Sequence, residues 1–116
     1  GDLHYRDIGE DLLQRFEAAY HSVHAPEADG PAQLFRTMPV MYTWDDHDYG
    51  ANDADGSSLS KSAALTAYRK YVPATLAGYE GPAAVDGVKD GGIFQSYEIQ
   101  GVLFVITGMM RAAYCM

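Results

Sequence analysis

Basic side chains are scarce in this sequence: eight Lys and Arg stand against sixteen Asp and Glu, a formal charge of −8 over 116 residues. An acidic surface repels a phosphodiester backbone, so nonspecific nucleic-acid binding is excluded by charge. Cysteine is almost absent, and the single Cys115 rules out an intrachain disulfide framework. No apolar run approaches the roughly 18 residues that a membrane helix needs. The start carries no charged leader followed by an apolar stretch, so no signal peptide is visible.

What the chain does contain is enough apolar matter, at 47% hydrophobic residues, to fill one core. We therefore expect a single domain over residues 1–116. The sequence opens on Gly1-Asp2 in what reads as the middle of a functional turn, and closes directly after an apolar run. The expectation is a partial domain, an internal piece of a larger catalytic unit.

Along the chain, Ile8, Leu12, Leu13, Phe16, Ala19, Tyr20 and Val23 fall at helical spacing, with Glu10, Asp11, Gln14, Arg15 and Glu17 opposite them. This predicts an amphipathic helix over residues 8–24 with an acidic first turn, stopped by Pro26 and the small residues at 28–31. Residues 38–44 are apolar and aromatic with Pro39 near the beginning, which suits a buried strand. Residues 49–60 shift to Gly, Asn, Asp and Ser and predict a surface loop. A second helix is expected over 60–71, capped by Ser58 or Ser60 and stopped by Pro73. Residues 78–92 read as irregular. Two strands at 93–99 and 102–107, joined by Gln100-Gly101, predict a C-terminal hairpin. The fold class is α/β, with mixed strands and at least two helices.

Chemistry concentrates at Trp44-Asp45-Asp46-His47-Asp48, three carboxylates and an imidazole past the end of the expected strand. Adjacent carboxylates repel, and a cation that relieves the repulsion is their natural partner. The bland reading is a solvated polar loop with a satisfied histidine. A second polar group runs from Asp2 to Asp7, where glycine before Asp2 permits close backbone approach to a metal. Its bland reading has Asp7 as a helix cap and His4 exposed. The Asn52-Asp53-Ala54-Asp55-Gly56 stretch fails as an EF-hand. Gly56 at the sixth position puts Ala51 at the first and Ser62 at the twelfth, where a bidentate Glu is required. Arg69, Lys70 and Arg111 are weak candidates for phosphate contact, and the tyrosines read as packing residues.

Taken together, Gly1-Asp2-Leu3-His4-Tyr5-Arg6-Asp7, the block from Pro39 through Trp44-Asp45-Asp46-His47-Asp48 to Gly50 with Asn52-Asp53, Ala67-Tyr68-Arg69-Lys70-Tyr71-Val72-Pro73 and the hairpin at 92–105 resemble the PhoD-like alkaline phosphatase family of the metallophosphatase superfamily. The resemblance implies a β-sandwich flanked by helices that carries two metal ions, drawn from Fe, Mn, Zn or Ca. It implies Asp2 as the bridging metal ligand, Asp46 as a ligand to one metal and His47 as the catalytic group beside the leaving oxygen. Asp45 and Asp48 become acids that orient the histidine and the ligands. The implied reaction is hydrolysis of phosphate mono- or diesters, with a small phosphate ester as substrate, and the resemblance leaves export open. The family's earlier acidic motif and later histidine motifs are not in these 116 residues, and Thr107-Gly108-Met109-Met110-Arg111 replaces its Thr-Asp-x-Arg turn. Little or no turnover is expected from this chain alone. Two other readings stand beside it: an acidic loop at 45–55 that holds a structural calcium, and a non-catalytic interaction domain.

Overall fold

The computed structural model describes residues 2–25, 27, 30–72 and 95–106. Within them the order is α1 (Leu13–His24), α2 (Pro31–Thr37), α3 (Asp46–Tyr49), α4 (Lys61–Tyr71), β1 (Gln95–Ile99) and β2 (Val102–Ile106). Helices and a two-stranded antiparallel sheet are thus both present, as a small α/β unit requires. Among the described residues, no helix is long and apolar enough to cross a membrane.

The first helix begins later than its apolar spacing suggests. Tyr5 and Asp7 both have φ of 51°, in the left-handed region, and Leu12 is extended, so residues 8–12 cannot propagate a helix. The expected acidic first turn is absent as well. Asp11 instead accepts a hydrogen bond from Ala63 N at 2.8 Å, capping the start of α4 from 52 residues away. That contact explains why Ser60, the nominal cap of α4, makes no capping bond: its hydroxyl donates to Tyr49 O. Ile8 still reaches the core, only 3% exposed, from outside the helix.

The core lies between α1 and α4. Phe16, Ala19 and Tyr20 on one face meet Ala63, Ala64, Ala67 and Tyr68 on the other. Three alanines on a single face of α4 let the two helices approach closely, and the aromatic rings fill the remaining space. Trp44 and Tyr49 join the same cluster, with Trp44 4.7 Å from Tyr68 and 5.0 Å from Tyr49 between ring centroids. In this way the acidic segment is bolted to the core at both of its ends.

The strand expected over 38–44 does not form. Among the described residues no neighbouring strand supplies a ladder, and the segment is held by side chains and by Tyr68 Oη donating to Tyr42 O at 2.8 Å. The expectation for 49–60 fares better, since beyond Tyr49, the last residue of α3, residues 50–60 run through bends and turns. Gly50 is required there. A Cβ would lie 2.6 Å from Ala54 Cβ and 2.9 Å from the hydroxyls of Ser58 and Ser60, so a larger residue would push the loop off α3.

The hairpin follows the predicted register. Ile99 pairs with Val102 across Gln100-Gly101, whose φ values of 51° and 79° are those of a type I′ turn. Tyr97 and Phe104 lie directly opposite and stack at 5.0 Å. The strand over 102–106 exposes apolar side chains on both faces, and among the described residues the hairpin packs on none of the helices. Pro73, the 78–92 stretch and Arg111 lie outside the described residues.

Candidate functional site

One short helical turn carries the acidic block. Asp45 is the N-cap of α3, and its side chain accepts from Asp46 N at 3.0 Å. Buried Trp44 and Tyr49 on either side fix the turn in place, so Asp46 and His47 emerge beside the N-terminal segment. Asp48 points the other way, into the protein, and is fully buried.

That buried carboxylate organises the start of the chain. Its Oδ2 accepts from Leu3 N at 2.7 Å, and its Oδ1 accepts from His4 N at 2.8 Å and Tyr5 N at 3.2 Å. Tyr42 Oη donates to Oδ2 as well. The donors offset the desolvation of a buried anion. His4, expected at the surface, is buried instead, with its Nδ1 3.4 Å from Asp48 Oδ1 and its ring edge-on to Tyr20 at 5.0 Å. Burial pushes the His4 pKa down against the opposing pull of Asp48, which favours the neutral ring.

The N-terminal segment and α3 meet a second time at His47. Asp7 N donates to His47 O at 3.3 Å, and Asp7 Oδ1 lies 2.5 Å from His47 Nδ1. Tyr5 stacks on the imidazole at 3.8 Å. Asp7 is therefore no helix cap; its left-handed backbone turns the carboxylate onto the histidine. The hydrogen bond that His47 donates to Asp7 is the main cause that raises the His47 pKa, with burial opposing and Asp46 and Asp2 adding to the rise. With Nδ1 engaged, Nε2 is the ring nitrogen open to outside chemistry. Of the two acids singled out beside the histidine, Asp48 grips the backbone that follows Asp2 and Asp45 caps α3, while the carboxylate bonded to His47 is that of Asp7.

Asp2, Asp46 and His47 come together. One ligand atom from each lies within 4.8 Å of the others, although Asp2 and Asp46 are 44 positions apart. Asp46 Oδ2 accepts from Asp53 N at 2.5 Å, and this bond holds its carboxyl below the usual range. Asp2 is raised, first by desolvation and then by the carboxylates of Asp48, Asp45 and Asp46, with His47 opposing. Crowded negative charge of this kind is what a cation relieves. Two carboxylates offer the oxygen ligands that hard cations take, and an imidazole beside them admits Zn, Mn or Fe where it ligates. The donor set therefore fits a divalent metal ion.

The loop acids that could have made a calcium site are used locally. Asp55 accepts from Ser57 N and Oγ, and Asp53 accepts from Asn52 Nδ2. Lys70, considered for phosphate, pairs with Glu17 at 2.6 Å. A separate cavity of about 420 Å³, lined by Leu3, Phe35, Met38, Tyr42 and Tyr71 among others, is apolar and includes none of Asp2, Asp46 or His47.

Asp7 and Tyr5 are the residues that sequence reasoning missed as partners of the histidine. The only signal was the run of polar residues from Asp2 to Asp7, two acids with His4 and Arg6 between them. Replacing Asp7 by asparagine is expected to return the His47 pKa toward its ordinary 6.5, as read from the imidazole proton shifts in an NMR titration. Because the folded pKa is raised, the pair stabilises the protein fully below pH 6.5 and loses that contribution as pH rises through the raised value. An unchanged titration curve in Asp7→Asn would show that the contact is not formed in solution. No protein-family model, curated protein or solved structure matches this chain.

Proposed function

We propose that this chain carries one side of the metal centre of a phosphoesterase, hydrolysing phosphate mono- or diesters. The observation that carries the reading is the convergence of Asp2, Asp46 and His47, three residues brought within 4.8 Å from opposite ends of a 46-residue span. The resemblance to PhoD-like alkaline phosphatases, stated above from the sequence, picks out the same three and places further ligands in segments flanking this chain, within a β-sandwich. Asp2 and Asp46 would hold metal. Bound metal supplies an activated water at neutral pH and neutralises phosphoryl oxygens.

The chain's own residues supply the rest. Asp53 N–H keeps Asp46 ionised and aimed outward. Asp7 fixes the His47 ring through Nδ1 and keeps it protonated to higher pH, which suits a proton donor better than a metal ligand. His47 Nε2 would then deliver its proton to the departing oxygen, and Tyr5 covers one face of the ring against solvent.

The test uses the full-length protein. Asp46→Asn is expected to abolish aryl phosphate hydrolysis and to weaken Mn2+ or Zn2+ binding by calorimetry. His47→Ala should retain the ion while turnover falls by about 10²–10⁴-fold, the usual worth of a general acid. Wild-type hydrolysis by His47→Ala, or metal binding indifferent to Asp46→Asn, would sink the proposal.

A further inference from the structure

We propose that Asp48 is the positioning residue of the Asp2, Asp46 and His47 centre, fixing Asp2 opposite α3 through the backbone of residues 3–5. The proposal rests on the reading of Asp2 and Asp46 as metal ligands beside His47. Asp2 is exposed, and among the described residues its side chain has no hydrogen-bond partner to hold it. Its location is set by the chain that follows it, and that chain is held by Asp48. Three successive N–H groups, of Leu3, His4 and Tyr5, converge on one carboxylate at 2.7–3.2 Å. Such convergence fixes both the position and the orientation of the peptide planes.

The same helical turn carries both halves of the arrangement. Asp46 and His47 face outward from α3, while Asp48, on the opposite side, grips the segment that brings Asp2 to them. Any shift of Asp48 thus moves Asp2 relative to Asp46. Tyr42 completes the clamp. Its hydroxyl bonds the Oδ2 that also receives Leu3 N, and Tyr42 is itself tied to α4 through Tyr68. Binding geometry at an exposed aspartate is in this way referred to the buried core.

The experiment combines hydrogen exchange with Mn2+ titration of the full-length protein, as wild type and as Asp48→Asn, Tyr42→Phe and Asp46→Asn. In the metal-free wild type the amides of Leu3, His4 and Tyr5 should be protected. In Asp48→Asn they should lose protection while the amides of α1 and α4 keep theirs, and Mn2+ affinity should fall by about 10–100-fold, the range for residues that support metal ligands. Tyr42→Phe should weaken Mn2+ binding in the same direction by less. If Asp48→Asn binds Mn2+ like wild type while Asp46→Asn does not, the positioning role is overturned and the metal centre stands. If affinity falls only where α1 and α4 also lose protection, the effect is general destabilisation and the role is again overturned. Should Asp48→Asn not fold, Tyr42→Phe decides alone, and unchanged affinity there overturns the role. A wild type that binds no Mn2+ removes the centre itself, and the positioning role with it.

Discussion

Replacing Tyr68 by alanine is expected to destabilise the protein by about 3–5 kcal/mol, read as a drop in the urea midpoint at constant m-value. Tyr68 is 1% exposed and stands where three parts of the structure meet. Its ring lies against Trp44 at 4.7 Å and Tyr42 at 5.9 Å, and its hydroxyl donates to Tyr42 O. Truncation removes the ring that seats Trp44, opens a cavity beside the α4 alanines and frees the segment over 38–44. Tyr68→Phe separates the contributions. It keeps the ring and loses one hydrogen bond, so a cost of about 1 kcal/mol is expected. If the two variants were equally destabilised, packing would not be what holds α3 to the core.

The second large effect is expected at Asp48. Asp48→Ala leaves the buried His4 N–H and the part-buried Leu3 N–H and Tyr5 N–H without that acceptor, and removes one partner of Tyr42 Oη. Each orphaned donor costs about 1–3 kcal/mol if water cannot reach it, and breaking a buried charged network costs about 3–5 kcal/mol in all. Denaturant unfolding should show a loss in that range, with the N-terminal segment detached first. A loss below about 1 kcal/mol would mean that water replaces the carboxylate readily, and that the clamp is loose. Asp48→Asn should be milder than alanine, since one acceptor oxygen remains.

Several elements were legible in the sequence because the forces behind them are local. Gln100-Gly101 gave the hairpin turn, since positive φ at two adjacent positions is a property of those residues and of strand twist. The helix expected over 60–71 rested on a serine cap and on Pro73, and α4 forms there although Ser60 makes no capping bond. The core half of the first helix was legible from Phe16, Ala19 and Tyr20. Its start was not. Apolar spacing continues back to Ile8, but Tyr5 and Asp7 adopt left-handed backbone to meet α3, and Asp11 caps another helix. The strand over 38–44 failed for a related reason, because a strand needs a neighbour and composition does not supply one.

The sequence by itself determined the acidic balance and the crowding of carboxylates and an imidazole at residues 44–48, because these depend only on which side chains are present and how they are spaced. It named Asp2, Asp46 and His47 by resemblance. Only the tertiary structure decided that the three share a site, and which acid serves which purpose. Asp7 and Asp48 are each one carboxylate among sixteen acidic residues, and nothing in their neighbours along the chain distinguishes them. Asp48 became the buried clamp and Asp7 the partner of the histidine because Trp44 and Tyr49 seat α3 on the core and turn its two faces apart. One face meets backbone donors and the other meets solvent, and that difference in surroundings sets the role of each carboxylate.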